Sequence, residues 1–434
     1  MNRSRLSWAI FAILLLLGCE APAPSDTTGF IVNGLKVVFK RTPGRPLVTA
    51  GFYLKGGVSY ASTGQAGLEP LLLSALSAGT ETLRRDEIDF RLDALSATLE
   101  VTANYDYAGL VAGFPRENWA LAWELFADIL LHPRLDPNDL DRIRRRVIST
   151  RVATPTTPGQ DAARNANGLY YRRHVYRLEP WGGVESLSAL ERKDLVQYYR
   201  ADVTKSRALL VVVGDLDIAD LTNRVRWLAK QLPLGPDMLP PALTFDPGPP
   251  EVTVARRDLP LEYITGLFGA PRPGHPDFPA FTVAMILLQD LLDEELRGRR
   301  QLADNPIAGV GERFFNCGWI SLTTTQPRQA VEAVFELLDR LTANPVPPEM
   351  LPGRIAVALA NHYRRTSTVA GIRDLLTHWE IVGESWEKSG QFIPELKLVR
   401  PEQVQFVIRK YVRGIHFGVV GNPRKIPRNL FKSR

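Results

Sequence analysis

The stretch Gly67-Leu68-Glu69-Pro70-Leu71-Leu72-Leu73-Ser74-Ala75-Leu76-Ser77-Ala78-Gly79-Thr80 reads as a leucine-rich helix over residues 67–78 with a glycine at either end. Glu69 is its one ionisable side chain; every other position is apolar, small, or carries only a hydroxyl. Ahead of the helix, residues 30–39 and 48–54 are rich in apolar and β-branched residues around turn signals at Asn33-Gly34 and Pro43-Gly44, so paired strands are expected there. After it come an expected strand over 98–114, bent near Tyr105, and helices over 119–131 and 137–151. A continuous apolar strand at 208–213 and an amphipathic helix at 218–232 close this half.

A proline-rich linker at 233–250 leads to a second half in which strands (251–255, 263–270), a helix (277–297), a strand (318–324) and a helix (327–343) recur. Two α/β halves of about 200 residues each suggest a repeated unit, since a domain is typically ~50–250 residues. The chain has 434 residues, 45% of them hydrophobic, enough for two domains with real cores. The predicted division is 1–18 leader, 19–28 tether, 29–232 first domain, 233–250 linker and 251–434 second domain.

At the amino terminus Arg3 and Arg5 precede an apolar run over 6–17 that stops at Gly18-Cys19. The run is too short to span a bilayer, which takes ~20 residues, and has the outline of a signal peptide. Leu16-Leu17-Gly18-Cys19 resembles the bacterial lipobox, which implies cleavage before Cys19, lipidation of that cysteine, and a body held outside the cytoplasm. Glu20 stands where an aspartate would favour the inner membrane, so the periplasmic face of the outer membrane is the expected address. An uncleaved anchor with an incidental cysteine is the alternative. Residues 21–28, rich in proline, serine and threonine, read as the tether.

Once Cys19 is lipidated, Cys317 is the one remaining cysteine, which excludes an intrachain disulfide and a four-cysteine metal site. The formal charge is +6, or +4 without Arg3 and Arg5 (51 basic against 47 acidic residues), too little to imply nucleic-acid binding. Six histidines, His132, His174, His275, His362, His378 and His416, are scattered without metal-ligand spacing. Each is expected to cap, turn or pack.

Several motifs, taken in order, resemble the pitrilysin/insulinase family of zinc metallopeptidases, whose relatives include the mitochondrial processing peptidase. They are Gly56-Gly57-Val58, Gly67-Leu68, Ala78-Gly79-Thr80, Trp181-Gly182-Gly183-Val184-Glu185-Ser186-Leu187, Asp194-Leu195-Val196-Gln197-Tyr198-Tyr199-Arg200 and Leu209-Leu210-Val211-Val212-Val213-Gly214-Asp215. The resemblance runs from about residue 29 to about 421. It implies an α+β fold of two homologous domains, each a mainly antiparallel sheet packed with helices, together forming half of a clam-like chamber.

The family's zinc motif, His-x-x-Glu-His, falls on this helix. Laid on the flanking glycines without a gap, its first histidine meets Pro70, its glutamate Leu73 and its second histidine Ser74. The distal glutamate is expected within 147–151, which has no acid and carries Thr150. Zinc in a hydrolase takes three protein ligands from histidine, cysteine or carboxylate. The expectation is therefore no catalytic residue and no metal in this chain, zinc belonging to an active partner.

The resemblance also implies an arginine and a tyrosine that hold substrate. Arg297 keeps the first and is the candidate substrate-binding residue, Asp304 replaces the second, and a local Arg297–Asp304 ion pair is the other reading. The strand at Thr98, Leu99, Glu100 and Val101 corresponds to the family's edge strand, where extended peptides add by backbone pairing; scaffold alone is the other reading. Three functions follow: a non-catalytic subunit pairing with an active homologous peptidase to bind and process peptides in the cell envelope, a lipid-anchored peptide-binding scaffold without such a partner, or a hydrolase with an unrecognised site.

Overall fold

The computed structural model describes residues 26–60, 63–152, 156–236, 245–426 and 430–431. The leader, the lipobox with Cys19, and the basic tail residues Arg428, Lys432 and Arg434 lie outside the described residues. No helix among the described residues is long and apolar enough to cross a membrane.

The first half is built from β1 (Thr27–Val32), β2 (Leu35–Arg41), β3 (Leu47–Lys55), α1 (Leu68–Leu76), α2 (Arg85–Ala94), β4 (Thr98–Ala103) and β5 (Tyr107–Pro115). Helices α3 (Trp119–Leu131), α4 (Pro137–Val147), α5 (Pro158–Tyr170), α6 (Val184–Ala189) and α7 (Arg192–Asp202) follow, then β6 (Ala208–Gly214) and α8 (Ile218–Gln231). The second half runs β7 (Val252–Arg256), β8 (Glu262–Gly269), α9 (Phe278–Leu292), β9 (Asp304–Val310), β10 (Cys317–Thr324), α10 (Pro327–Ala343), α11 (Leu351–Arg365), α12 (Val369–Ile381), α13 (Lys388–Lys397), α14 (Pro401–Tyr411) and β11 (His416–Gly421).

Strand order shows the repeat. The first sheet runs β1-β2-β6-β3-β5-β4 and the second β7-β11-β8-β10-β9. Without β1, both sheets place their strands, numbered along each half, in the order first, fifth, second, fourth, third. In each, the first and last strands pair in parallel, β2 with β6 and β7 with β11, while the other pairs are antiparallel.

The expected single strand over 98–114 is instead a hairpin. Asn104 accepts the N–H groups of Asp106 and Tyr107 at 2.9 Å each and turns the chain there. The tether ends sooner than expected, because Thr27 and Thr28 pair with Lys40 and Phe39 in β1. Helix α4 stops at Val147 and a π-helical turn, Ile148–Val152, continues it. Helix α9 likewise stops at Leu292, and a second π-helical turn, Asp293–Arg299, carries Arg297. At the end of the linker Phe245 stacks on Tyr171 with ring centres 5.1 Å apart, fixing it to the body.

The halves exchange a helix. Helix α5 of the first half lies on β8 and β11 of the second sheet, and α12 of the second half lies on β3 and β6 of the first. One face of the first sheet (Val37, Phe52, Leu110, Val212) meets the core containing α1, α3 and α8. The other face (Val38, Val111, Leu209, Val211) meets Val369, Ile372 and Leu376 of α12. Strand β6, Ala208–Gly214, is therefore buried throughout, which is why it reads as a continuous apolar run rather than an alternating one. At the other crossing, a Cβ on Gly418 would come within 2.1 Å of the Ala162 carbonyl oxygen, so only glycine lets α5 lie directly on β11.

Candidate functional site

Helix α1 starts at Gly67, whose φ of 86° is left-handed and favours glycine. A Cβ there would also sit 2.5 Å from the Trp181 carbonyl oxygen, so Gly67-Leu68 and Trp181-Gly182, far apart in sequence, meet at the helix start. Pro70 occupies the first turn, where its missing N–H costs no helical bond. Its carbonyl accepts the Ser74 hydroxyl at 2.7 Å. Leu73 is fully buried in the first core. Of the three positions facing the family's zinc motif, the structure thus packs Pro70 and Leu73 inward and leaves only Ser74 half-exposed.

Ser74 lines a cleft of about 450 Å³ together with Leu99, Glu100 and Val101 of β4, Arg146 of α4, and Thr150 of the π-helical turn. The structure thereby brings Ser74 and Thr150, two positions that face the family's zinc ligands, and the edge strand to one place. Thr98 is exposed at the start of β4. Arg297 and Asp304 do not line this cleft. Arg297 pairs with Asp293 one turn back at 2.7 Å, because the π-helical turn projects both side chains to solvent. The alternative pair with Asp304 is not formed; Asp304 opens β9 opposite Thr323.

The two cations of the cleft differ. Arg85 pairs with Asp89 at 3.3 Å, whereas no acid among the described residues lies within ion-pair reach of Arg146. The other α4 arginines are engaged in part: Arg142 with Asp139 at 2.6 Å and Arg144 with Asp141 at 2.7 Å.

Strand β4 is an edge of its sheet. The Asn104 N–H donates to the Tyr107 carbonyl, which makes 104/107 a hydrogen-bonded pair. Antiparallel pairs alternate, so the N–H groups of Leu99, Val101 and Ala103 point outward. Among the described residues no other segment hydrogen-bonds to that side. The matching edge of the second sheet, β9, is treated differently: the Gln289 side chain takes the Ala308 N–H at 2.7 Å and donates to the Pro306 carbonyl at 2.9 Å. Proline and a side-chain cap blunt that edge against further pairing.

Glu69, the helix's one acid, faces away into the protein. Its Oε2 accepts from Tyr198 at 2.8 Å and from Arg207 at 3.2 Å, while Oε1 has no partner beside a void of about 20 Å³. Burial pushes its pKa up to about 7, outweighing the Arg207 guanidinium and the Tyr198 hydroxyl. The group is a structural anchor between α1, α7 and β6.

Among the described residues no three or more histidine, cysteine, aspartate or glutamate side chains gather as a metal ion would require. His174 and His275 accept the N–H groups of Tyr176 and Asp277, His132 bonds Asp128 at 2.9 Å, and His378 and His416 are buried. Cys317 is a buried free thiol. The sequence reading missed Arg313 and Asp106. Asp106 is buried against the Tyr176 hydroxyl, and Arg313 stacks over Tyr105 at 3.8 Å. A charge set against two phenylalanines, Arg313-Phe314-Phe315, was the available signal.

Two copies of one α+β unit, interlocked by exchanged helices and carrying a cleft between a helix and a strand edge, define a two-domain peptidase-type fold. A model of the insulinase family (peptidase family M16) matches residues 36–166, and one described as the peptidase M16 inactive domain matches residues 189–352. The chain belongs to the insulinase family, M16. It is 21% identical over 419 residues to an uncharacterized zinc protease of Mycobacterium leprae (strain TN), covering 92% of this chain and 93% of that protein. It is 20% identical over 250 residues to the mitochondrial-processing peptidase subunit beta of Blastocladiella emersonii, covering 57% of this chain and 53% of that subunit. The crystal structure of a peptidase M16 inactive domain from Pseudomonas fluorescens shares the fold, with a TM-score of 0.82 at 17% identity over 92% of this chain and 98% of that one.

Proposed function

We propose that this chain is a non-catalytic subunit of an M16-type metallopeptidase, which pairs with an active homologue carrying His-x-x-Glu-His and holds peptide substrates along β4. The observation that carries the reading is the cleft itself, an open strand edge beside a helix whose donors do not suit zinc. The ion needs three ligands from histidine, cysteine or carboxylate. Pro70 and Leu73 are packed inward and offer none. The Ser74 hydroxyl, which donates to the Pro70 carbonyl, is not among the ligand types zinc takes in a hydrolase. Of the charged residues in the cleft, Arg85 is paired with Asp89, Arg146 is a cation, and Glu100 is a single carboxylate, short of the three ligands zinc takes. No hydrolytic step is assigned to this chain.

Peptide capture needs none of those ligands. A strand laid along β4 would use the outward N–H and C=O groups of Leu99, Val101 and Ala103, with side chains reaching toward Ser74 and Arg146. The name of the Blastocladiella relative, a subunit, supports the pairing. Lipobox-like Leu16-Leu17-Gly18-Cys19 supports a lipid anchor at Cys19 and a place on the periplasmic face of the outer membrane. Co-expression with an active homologue tests the pairing: a complex that co-elutes and cleaves peptides is expected. An active homologue that is fully active alone and never co-elutes would sink it. The anchor is tested by Cys19→Ser, which should move the protein from the membrane to the soluble envelope fraction; unchanged fractionation would refute lipidation.

A further inference from the structure

A second, larger cleft, open to solvent, lies beside helix α5 on the second sheet. It has a volume of about 820 Å³ between α5 and the face of β8 and β10, within the ~300–1,000 Å³ of ligand pockets. Three strongly ionic side chains line it: Arg164, Glu179 and Arg313. Arg164 is answered by Asp161 at 3.2 Å and Glu179 at 3.8 Å. Arg313 is not. Its Nη1 donates to the Asn167 side-chain oxygen Oδ1 at 2.8 Å and its guanidinium lies 3.8 Å over the Tyr105 ring, both neutral partners. Among the described residues no carboxylate comes within 4.0 Å of it. Asp106 is close enough to feel its field, yet spends its oxygens on the Tyr176 hydroxyl and the Phe314 N–H.

A half-buried cation with no carboxylate in ion-pair contact, the nearby Asp106 being engaged elsewhere, is an arrangement that a bound anion would complete. The guanidinium fork suits a carboxylate in particular, since it can donate two parallel hydrogen bonds. The remaining wall fits a peptide end rather than a bare ion: Thr265 and Ser321, hydroxyls 2.9 Å apart, stand beside Thr323, Tyr263 and Trp319.

We propose that this larger cleft is a second peptide site, in which Arg313 binds a peptide carboxylate, either the C-terminus or an acidic side chain. It is separate from the β4 edge and needs no partner subunit.

Calorimetric titration of the full chain with three hexapeptides of otherwise uncharged sequence tests it: one with a free C-terminus, one amidated, and one amidated with an internal glutamate. Binding of either carboxylate-bearing peptide, at least tenfold tighter than the amidated neutral one, is expected, and which of the two binds identifies the source of the carboxylate. Arg313→Gln should remove that preference. Because Arg313 also braces Asn167 and Tyr105, Thr323→Phe provides an independent arm, placing a bulky ring on the β10 wall where the peptide chain would lie, and should weaken binding at least tenfold. Equal binding of all three peptides, binding of none, or wild-type affinity in a folded Thr323→Phe protein would overturn the proposal.

Discussion

Glu69 shows how a position beside the expected zinc motif has been turned to structural use. It is buried, tied to Tyr198 and Arg207, and its pKa is raised by burial from 4.5 to about 7. Between those values the folded chain holds a proton at Glu69 that the unfolded chain has released. The group's contribution to stability is therefore full below about pH 4.5 and is lost as pH rises through about 7. Glu69→Gln cannot titrate. Denaturant unfolding should show the wild type losing on the order of 1–3 kcal/mol relative to this variant between pH 5 and pH 8. Parallel pH profiles would show that Glu69 ionises in the fold as it does in the unfolded chain, so that burial has not raised its pKa.

Among the elements, the two sheet edges make the sharpest contrast. Gln289 and Pro306 blunt β9, while β4 presents Leu99, Val101 and Ala103 outward beside the cleft. Proline at 101 would remove an outward N–H without breaking a ladder bond to β5. Val101→Pro should therefore abolish the binding of an extended peptide at the cleft while leaving the denaturation midpoint near the wild-type value. Fluorescence anisotropy with a labelled peptide, alongside thermal unfolding, checks both; undiminished peptide binding would place the site elsewhere.

Long amphipathic and apolar elements such as α3, α10 and β6 were legible in the sequence because one core decides their pattern. The hairpin at Asn104 was not, since β4 and β5 are joined by a turn whose signal is a single side chain accepting two N–H groups. Helix α5 was passed over for another reason. It is polar and alanine-rich, and what it packs against lies in the other half of the chain. Its local signal was the capping box, in which Thr157 caps the Gln160 N–H and Gln160 returns the bond. The cleft was legible as a list, Ser74, Thr150 and Leu99 to Val101, but the inward burial of Leu73 and the pairing of Arg297 with Asp293 depend on helix phase that no motif records.

Across the whole molecule, the repeated strand order and the reciprocal seating of α5 and α12 make the two halves one interlocked body. With Gly418 admitting α5 onto β11, neither half has a complete core alone. On the proposed reading, an interlocked two-domain chain with an open strand edge beside the positions of the family's zinc motif completes a peptide-binding surface for a homologue that holds the metal. The most direct measurement is the zinc content of the purified pair formed with an active homologue. The account predicts about one zinc for every two chains, all of it lost when the His-x-x-Glu-His of the partner is mutated. A content near two per pair, or about one zinc on this chain purified alone, would contradict it.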